Sequence, residues 1–299
     1  MKINHDLIYG IQTGDFMSLA RALTIVENDL LGSDHLLCSL VVRDENKVIG
    51  ITGPPGAGKS TLVSALINEL IIGDHKVAVL AVDPTSPFNM GSLLGDRIRM
   101  SPHFNNPSVY IRSVATRGSV GGLSAKIIEM TDVLRAGVFD YIIIETVGVG
   151  QSEIEIAGLA DKTIVVLVPE AGDEIQHIKS GLMEIADVFV VNKADREGGD
   201  SFANGLIKML HGRQGQIPVL KTIAHKSQGI NEVIAWINSN HEFNNRKSFL
   251  YTEKAFKLIQ NKRMIDISRK DLFEKVELES HQSNFNIYRF IDSYLSSLK

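Results

Sequence analysis

Nine consecutive residues, Gly53-Pro54-Pro55-Gly56-Ala57-Gly58-Lys59-Ser60-Thr61, have types and spacing suited to holding phosphate. They follow the apolar run Val48–Thr52 and precede the amphipathic stretch Leu62–Ile72. Glycines let the backbone turn so that successive N–H groups converge on an anion. Lys59 is a point charge for β- and γ-phosphate oxygens, and Ser60 offers a hydroxyl to Mg²⁺. The helix that follows adds the positive end of its dipole. A G-x-x-x-x-G-K-[ST] sequence between strand and helix is the phosphate loop of a nucleoside triphosphatase.

The base is read from a second motif. Asn192-Lys193-Ala194-Asp195 ends an apolar run, Val188–Asn192. A carboxylate at Asp195 can accept from both N1–H and the exocyclic amine of guanine. Adenine offers no such donor pair, so the nucleotide expected is GTP or GDP. The loop after the next run, Thr222-Ile223-Ala224-His225, is expected to supply further base contacts from Ile223, Ala224 and His225. Among these, the backbone N–H of Ala224 is the expected donor.

Carboxylates at the carboxyl ends of strands are the candidate partners of the metal, because open α/β sheets bind ligands there. Asp83 follows Val77–Val82, and Glu145 follows Tyr141–Ile144. Asp96, beside Arg97, is a third candidate. Glu145-Thr146-Val147-Gly148 stands where GTPases carry their second switch, so Gly148 can present an N–H to the γ-phosphate. Ras-type GTPases follow that glycine with a water-positioning Gln. Here the position is Val149, and Gln151 stands two further on. Slow hydrolysis by the isolated protein is the expectation.

The elements that must position these residues are legible in the hydropathy pattern. Residues 46–245 alternate amphipathic stretches with the runs Val48–Thr52, Val77–Val82, Val109–Val114, Tyr141–Glu145, Thr163–Val168, Val188–Asn192 and Ile217–Leu220. Continuous apolar runs separated by helices predict strands buried on both faces of a doubly wound, mostly parallel sheet, an α/β P-loop fold. Helical extensions flank it. In residues 1–45, Leu19, Leu23, Val26 and Leu30 recur at helical spacing, with Asp15 placed to cap. In residues 246–299, Tyr288, Ile291, Leu295 and Leu298 mark one face of a terminal helix. Such a face needs cover, from its own domain or from a second subunit.

Composition narrows the class. Hydrophobic residues are 44% and charged residues 22% of the 299, ordinary for a globular chain. The net charge is −4, with a basic excess confined to residues 246–299. No bulk attraction to nucleic acid or to an anionic membrane is expected. Cys38 is the sole cysteine, so neither an intrachain disulfide nor a thiolate cluster can form. No apolar run approaches the ~18 residues of a membrane span. The first ten residues lack the apolar core of a signal peptide. A cytoplasmic protein is the expectation.

Longer segments carry a family resemblance. They are Val82-Asp83-Pro84-Thr85-Ser86-Pro87-Phe88, Gly91-Ser92-Leu93-Leu94-Gly95-Asp96-Arg97-Ile98-Arg99-Met100, Arg117-Gly118-Ser119-Val120-Gly121-Gly122-Leu123 and Glu145-Thr146-Val147-Gly148-Val149-Gly150-Gln151-Ser152-Glu153. Together they resemble the MeaB/ArgK family of methylmalonyl-CoA mutase-associated GTPases, over roughly residues 7–240. The resemblance implies GTP bound with Mg²⁺, and a homodimer joined through the C-terminal arm. It also implies a chaperone that gates cofactor delivery to, and protects, an adenosylcobalamin-dependent acyl-CoA mutase. Gly172-Asp173-Glu174-Ile175-Gln176-His177-Ile178-Lys179-Ser180-Gly181 looks like the family's third switch, whose Gln and Lys, here Gln176 and Lys179, move toward the nucleotide when the mutase binds. That would compensate for Val149. His177, Ser180 and Ile223 depart from the family's usual residues.

Two other functions fit these residues less well. Nickel-inserting GTPases carry clustered Cys and His ligands; the nine histidines here are dispersed, with no His-x-His or Cys-x-x-Cys. A nucleotide-driven component of arginine/ornithine transport, an older name in this family, would act beside a membrane for which the chain has no span.

Overall fold

The computed structural model describes residues 5–43, 45–83, 97–115, 126–146, 152–170, 182–210, 217–239, 246–264, 267–280 and 286–297. The chain divides into two compact units, Met1–Ser248 and Phe249–Lys299.

The first unit opens with helices α1 (His5–Thr13), α2 (Phe16–Glu27) and α3 (Ser33–Ser39). Asp15 caps α2 as expected, its carboxylate accepting from the N–H groups of Met17 and Ser18 at 3.4 and 2.9 Å. Leu19, Leu23 and Val26 are fully buried, but Leu30 is 47% exposed. The helix stops short of Leu30 because Asp29 takes a left-handed turn at φ 51°, and the Leu30 N–H closes back on the Ile25 carbonyl at 2.9 Å. Arg112 ties α2 to the sheet, donating to Glu27 at 2.6 Å.

The sheet follows. In chain order its described elements are β1 (Lys47–Thr52), α4 (Lys59–Ile72), β2 (Val77–Asp83), a 3₁₀ turn (Arg97–His103), β3 (Val109–Ala115), α5 (Ile127–Arg135), β4 (Tyr141–Glu145), α6 (Ser152–Leu159), β5 (Lys162–Leu167), α7 (Leu182–Ile185), β6 (Val188–Val191), α8 (Gly199–Leu210), β7 (Val219–Lys221), a 3₁₀ turn (Ala224–Lys226) and α9 (Ile230–Asn238). The seven strands lie in the order β3-β2-β4-β1-β5-β6-β7, and every pairing is parallel. Each predicted run is a strand. The last begins two residues late, at Val219, since Pro218 has no N–H for the ladder and contributes only its carbonyl to Phe189 at 3.0 Å.

The period of two along each strand divides the core between two faces. Ile164, Val166, Val188 and Val190 pack with Leu62, Leu66 and Leu70 of α4 and with Val233 and Ile237 of α9. Val165, Leu167, Phe189 and Val191 pack on the opposite face, with Ala157 of α6 and Phe202, Leu206 and Leu210 of α8. Strands covered on both faces have no polar side to show, hence their unbroken apolar runs. β1 sits between β4 and β5, so the crevice at the carboxyl ends of these three strands is the sheet's topological switch point.

The helix α10 (Arg246–Arg263) begins in the first unit and continues into the second, followed by α11 (Arg269–Ser280) and α12 (Ile287–Ser297). Arg246 is held by the first unit, donating to the Ile185 carbonyl at 2.7 Å. In α12 the face predicted to need cover is exposed within the single chain, with Tyr288 77% and Ile291 44% accessible, while Phe290 is buried. Phe290 stacks on Tyr294 at 5.9 Å between centroids, and the Lys275 ammonium lies over the Tyr294 ring. Leu298 and the side chain of Leu295 lie outside the described residues.

Candidate nucleotide site

The loop from Gly53 to Gly58 leaves the carboxyl end of β1 and turns into α4. Gly53 and Gly58 are required by conformation and by space. Gly53 has φ 138° and a Cβ there would stand 2.1 Å from the Val166 carbonyl oxygen. Gly58 has φ 84°, and its Cβ would stand 2.5 Å from Asn192 Nδ2. Pro55 and Gly56 form the exposed crest, Pro54 is half-buried beside them, and Ala57 is buried beneath. Lys59 opens α4 three residues before the apolar stretch that predicted the helix, with Gly58 as its N-cap. Thr61 is half-buried in the first turn. The Lys59 side chain is buried, its Nζ donating to the carbonyls of Gly53 at 2.8 Å and Pro54 at 3.2 Å. The ammonium is thus folded back onto the loop's own carbonyls.

Ser60 meets Glu145. The Ser60 hydroxyl donates to Glu145 Oε1 at 2.7 Å, and both side chains are buried. Thr146, next in sequence, bonds back to β1: its N–H to the Ile51 carbonyl at 3.0 Å, its hydroxyl to the Thr52 hydroxyl at 2.9 Å. This seam fixes the end of β4 beside the phosphate loop. A hydroxyl and a carboxylate in contact, at the foot of a phosphate loop, are hard oxygen donors of the kind Mg²⁺ takes. Asp83 is the last residue of β2. Asp96, Gly148, Gln176 and Lys179 lie outside the described residues.

The Asn192–Asp195 segment is built onto the phosphate loop from the other side. Asn192 Nδ2 donates to the Ala57 carbonyl at 3.0 Å, while its Oδ1 accepts from the Thr222 hydroxyl and from the Ala224 N–H, each at 3.1 Å. Lys193, at φ 55°, sends its Nζ to the Gly56 carbonyl at 2.7 Å. One buried amide therefore joins three loops. The Ala224 N–H was expected to face the base; in the structure it donates to Asn192, because that carboxamide has two lone pairs to satisfy in a buried place. Ile223 pairs with Gln228 across a tight turn, its N–H donating at 3.0 Å, and His225 is exposed beside it.

Asp195 lies at the rim. Its Oδ2 accepts from Lys226 Nζ at 3.1 Å, and that hydrogen bond holds the carboxyl below its ordinary 3.8. Sequence reasoning did not single out Lys226. The only signal was a cation following the Ile223-Ala224-His225 loop. Thr222 and Thr52 were missed too, since a buried threonine is recognisable only once its neighbours are known.

The arrangement has relatives. A family model described as methylmalonyl-CoA mutase-associated GTPase MeaB matches residues 19–281. A Pyrococcus abyssi protein provisionally named a GTPase is 45% identical over 263 residues, 85% of this chain and 81% of the relative. GTPase ArgK of Escherichia coli is 41% identical over 204 residues, 65% of this chain and 59% of the relative. A solved structure described as a LAO/AO transport system kinase superposes with TM-score 0.64 at 28% identity, covering all of this chain and 93% of the other. With its phosphate loop, its N-K-x-D strand end and a family match across most of its length, the chain belongs to the methylmalonyl-CoA mutase-associated GTPase MeaB family of P-loop GTPases.

Proposed function

We propose that this protein is a Mg²⁺-dependent GTPase that serves as chaperone to an adenosylcobalamin-dependent acyl-CoA mutase of the methylmalonyl-CoA type. The observation that carries the nucleotide reading is the Asn192–Ala57 hydrogen bond, which joins the base-reading and phosphate-holding loops in one crevice. The family description supports the mutase as partner.

In this reading the phosphates of GTP take the Lys59 ammonium from the carbonyls of Gly53 and Pro54, and the N–H groups of 56–61 close around them. Asp195 accepts from N1–H and the exocyclic amine of the guanine. Ser60 and Glu145 hold Mg²⁺, with Asp83 and Asp96 as further candidates; bound there, the ion would neutralise charge developing on the phosphoryl oxygens. Gly148 offers its N–H to the γ-phosphate. Gln176 and Lys179 serve as late-arriving groups for hydrolysis, brought in by the mutase. The protein acts as a cytoplasmic homodimer through residues 246–299, away from membranes and nucleic acid. Exposed Phe249, Phe256, Phe273 and Leu278 give that region apolar surface to cover.

The transport name of one solved relative supports a second reading, as the nucleotide-binding part of an amino-acid uptake system. Pull-down from native extract separates the two. Recovery of a cobalamin-dependent mutase, lost with Lys59→Ala, is the expected result; recovery of transport components alone would favour the second.

A further inference from the structure

We propose that Lys226 is a specificity-tuning residue that competes with guanine for Asp195 and so weakens the hold on bound GDP. The inference rests on the reading of Asp195 as the base-recognising carboxylate.

Guanine presents two donors on one edge, and a carboxylate meets both only when each oxygen is available to it. Asp195 Oδ2 is engaged by Lys226 Nζ at 3.1 Å. Lys226 is brought there by backbone geometry. It ends the 3₁₀ turn Ala224–Lys226, its N–H donates to the Ile223 carbonyl at 2.9 Å, and Ser227 follows in the left-handed region at φ 54°. Ala224, two residues earlier, is anchored through its N–H to Asn192 at 3.1 Å. The same carboxamide therefore positions both the strand end that leads to Asp195 and the turn that carries its competitor.

The neighbouring cations are otherwise engaged. Lys193 donates to the Gly56 carbonyl at 2.7 Å, and Arg196 pairs with Glu170. Lys226 bonds Asp195 from a half-exposed position, with 51% of its side chain accessible. An exposed ion pair is weak enough for guanine to displace it. It is strong enough to tax the exchange: forming the second base hydrogen bond requires giving up, or sharing, the ammonium.

The test measures GDP and ADP affinities by competition against a fluorescent guanine nucleotide. In Lys226→Met the ratio of GDP to ADP affinity should rise about two- to five-fold, the range expected for loss of one exposed ion pair. Taking the ratio cancels any change in attraction for the phosphates. The rise should shrink at high salt, which screens the pair. Lys226→Arg, which keeps the cation, should hold the ratio at or below that of the native protein. An unchanged or lower ratio in Lys226→Met would overturn the proposal, showing that Lys226 orients Asp195 or does not act on the base. Failure of the underlying reading would look different: Asp195→Asn would leave the preference between GDP and XDP where it was.

Discussion

Asn192 Nδ2 and the Ala57 carbonyl, 135 residues apart in the chain, are bonded at 3.0 Å within the buried seam between the two nucleotide loops. The consequence is mechanical. The phosphate loop and the strand end that carries the N-K-x-D sequence are tied directly to one another through this bond.

Asn192→Ala should therefore damage both ends at once. It removes the partner of the Ala57 carbonyl, of the Thr222 hydroxyl and of the Ala224 N–H. Each buried group left unsatisfied costs about 1–3 kcal/mol, so a loss of roughly 2–4 kcal/mol of stability is expected after local relaxation. Denaturant midpoints check the stability, and GTP titration checks the affinity. A variant as stable as the native protein with unchanged affinity would show that the seam is dispensable.

Asp195→Asn should exchange GTP for XTP. Xanthine carries a carbonyl where guanine carries an amine, so an amide becomes the better partner. Loss of a charge-assisted hydrogen bond should weaken GTP by about 1.5–3 kcal/mol, or roughly 10- to 150-fold. Competition among GTP, ATP and XTP is the measurement. Equal binding of ATP and GTP by the native protein would defeat the base assignment.

His103 should give the fold a pH dependence. It is buried on the 3₁₀ turn before β3, its Nε2 3.0 Å from the Ser64 hydroxyl of α4. Burial holds its imidazole below the ordinary 6.5, so the unfolded chain binds this proton more readily than the folded one. The contribution to stability is present above pH 6.5 and is lost as pH falls below it. His103→Gln keeps a polar partner for Ser64 but does not titrate, and should flatten that slope. Unfolding midpoints on either side of pH 6.5, for both proteins, decide the matter. Parallel slopes would locate the dependence elsewhere.

GTP hydrolysis should be slow in the isolated protein and accelerated by a cobalamin mutase through Gln176 and Lys179. Val149 stands where a water-positioning Gln would be expected. A cation supplied late contributes about 10³–10⁵ in rate in other GTPases. Less is expected of a lysine, which lacks the bidentate fork of arginine. Lys179→Ala should leave basal single-turnover hydrolysis nearly unchanged and abolish most of the acceleration, and Gln176→Ala should behave alike. If Lys179→Ala slows the isolated protein as severely as the complex, the residue is already in place and the gating idea fails.

Much of this was legible in the amino-acid order. The strands were, because burial on both faces leaves an unbroken apolar run that no solvated element imitates. The phosphate loop was, because its chemistry is contained in nine adjacent residues whose backbone turns dictate glycine. Glu145 and Asp195 stood out as candidates, because open parallel sheets bind ligands at the carboxyl ends of their strands. The tertiary structure decided the rest. Leu30 fell off its predicted face when Asp29 reversed the chain, a choice between local turns that periodicity does not register. The Ala224 N–H went to Asn192, and Lys226 to Asp195, because those pairs meet only after separate strands have assembled side by side. Contacts within one turn of helix or strand are set by covalent neighbours. Contacts between loops depend on how the whole sheet brings them together.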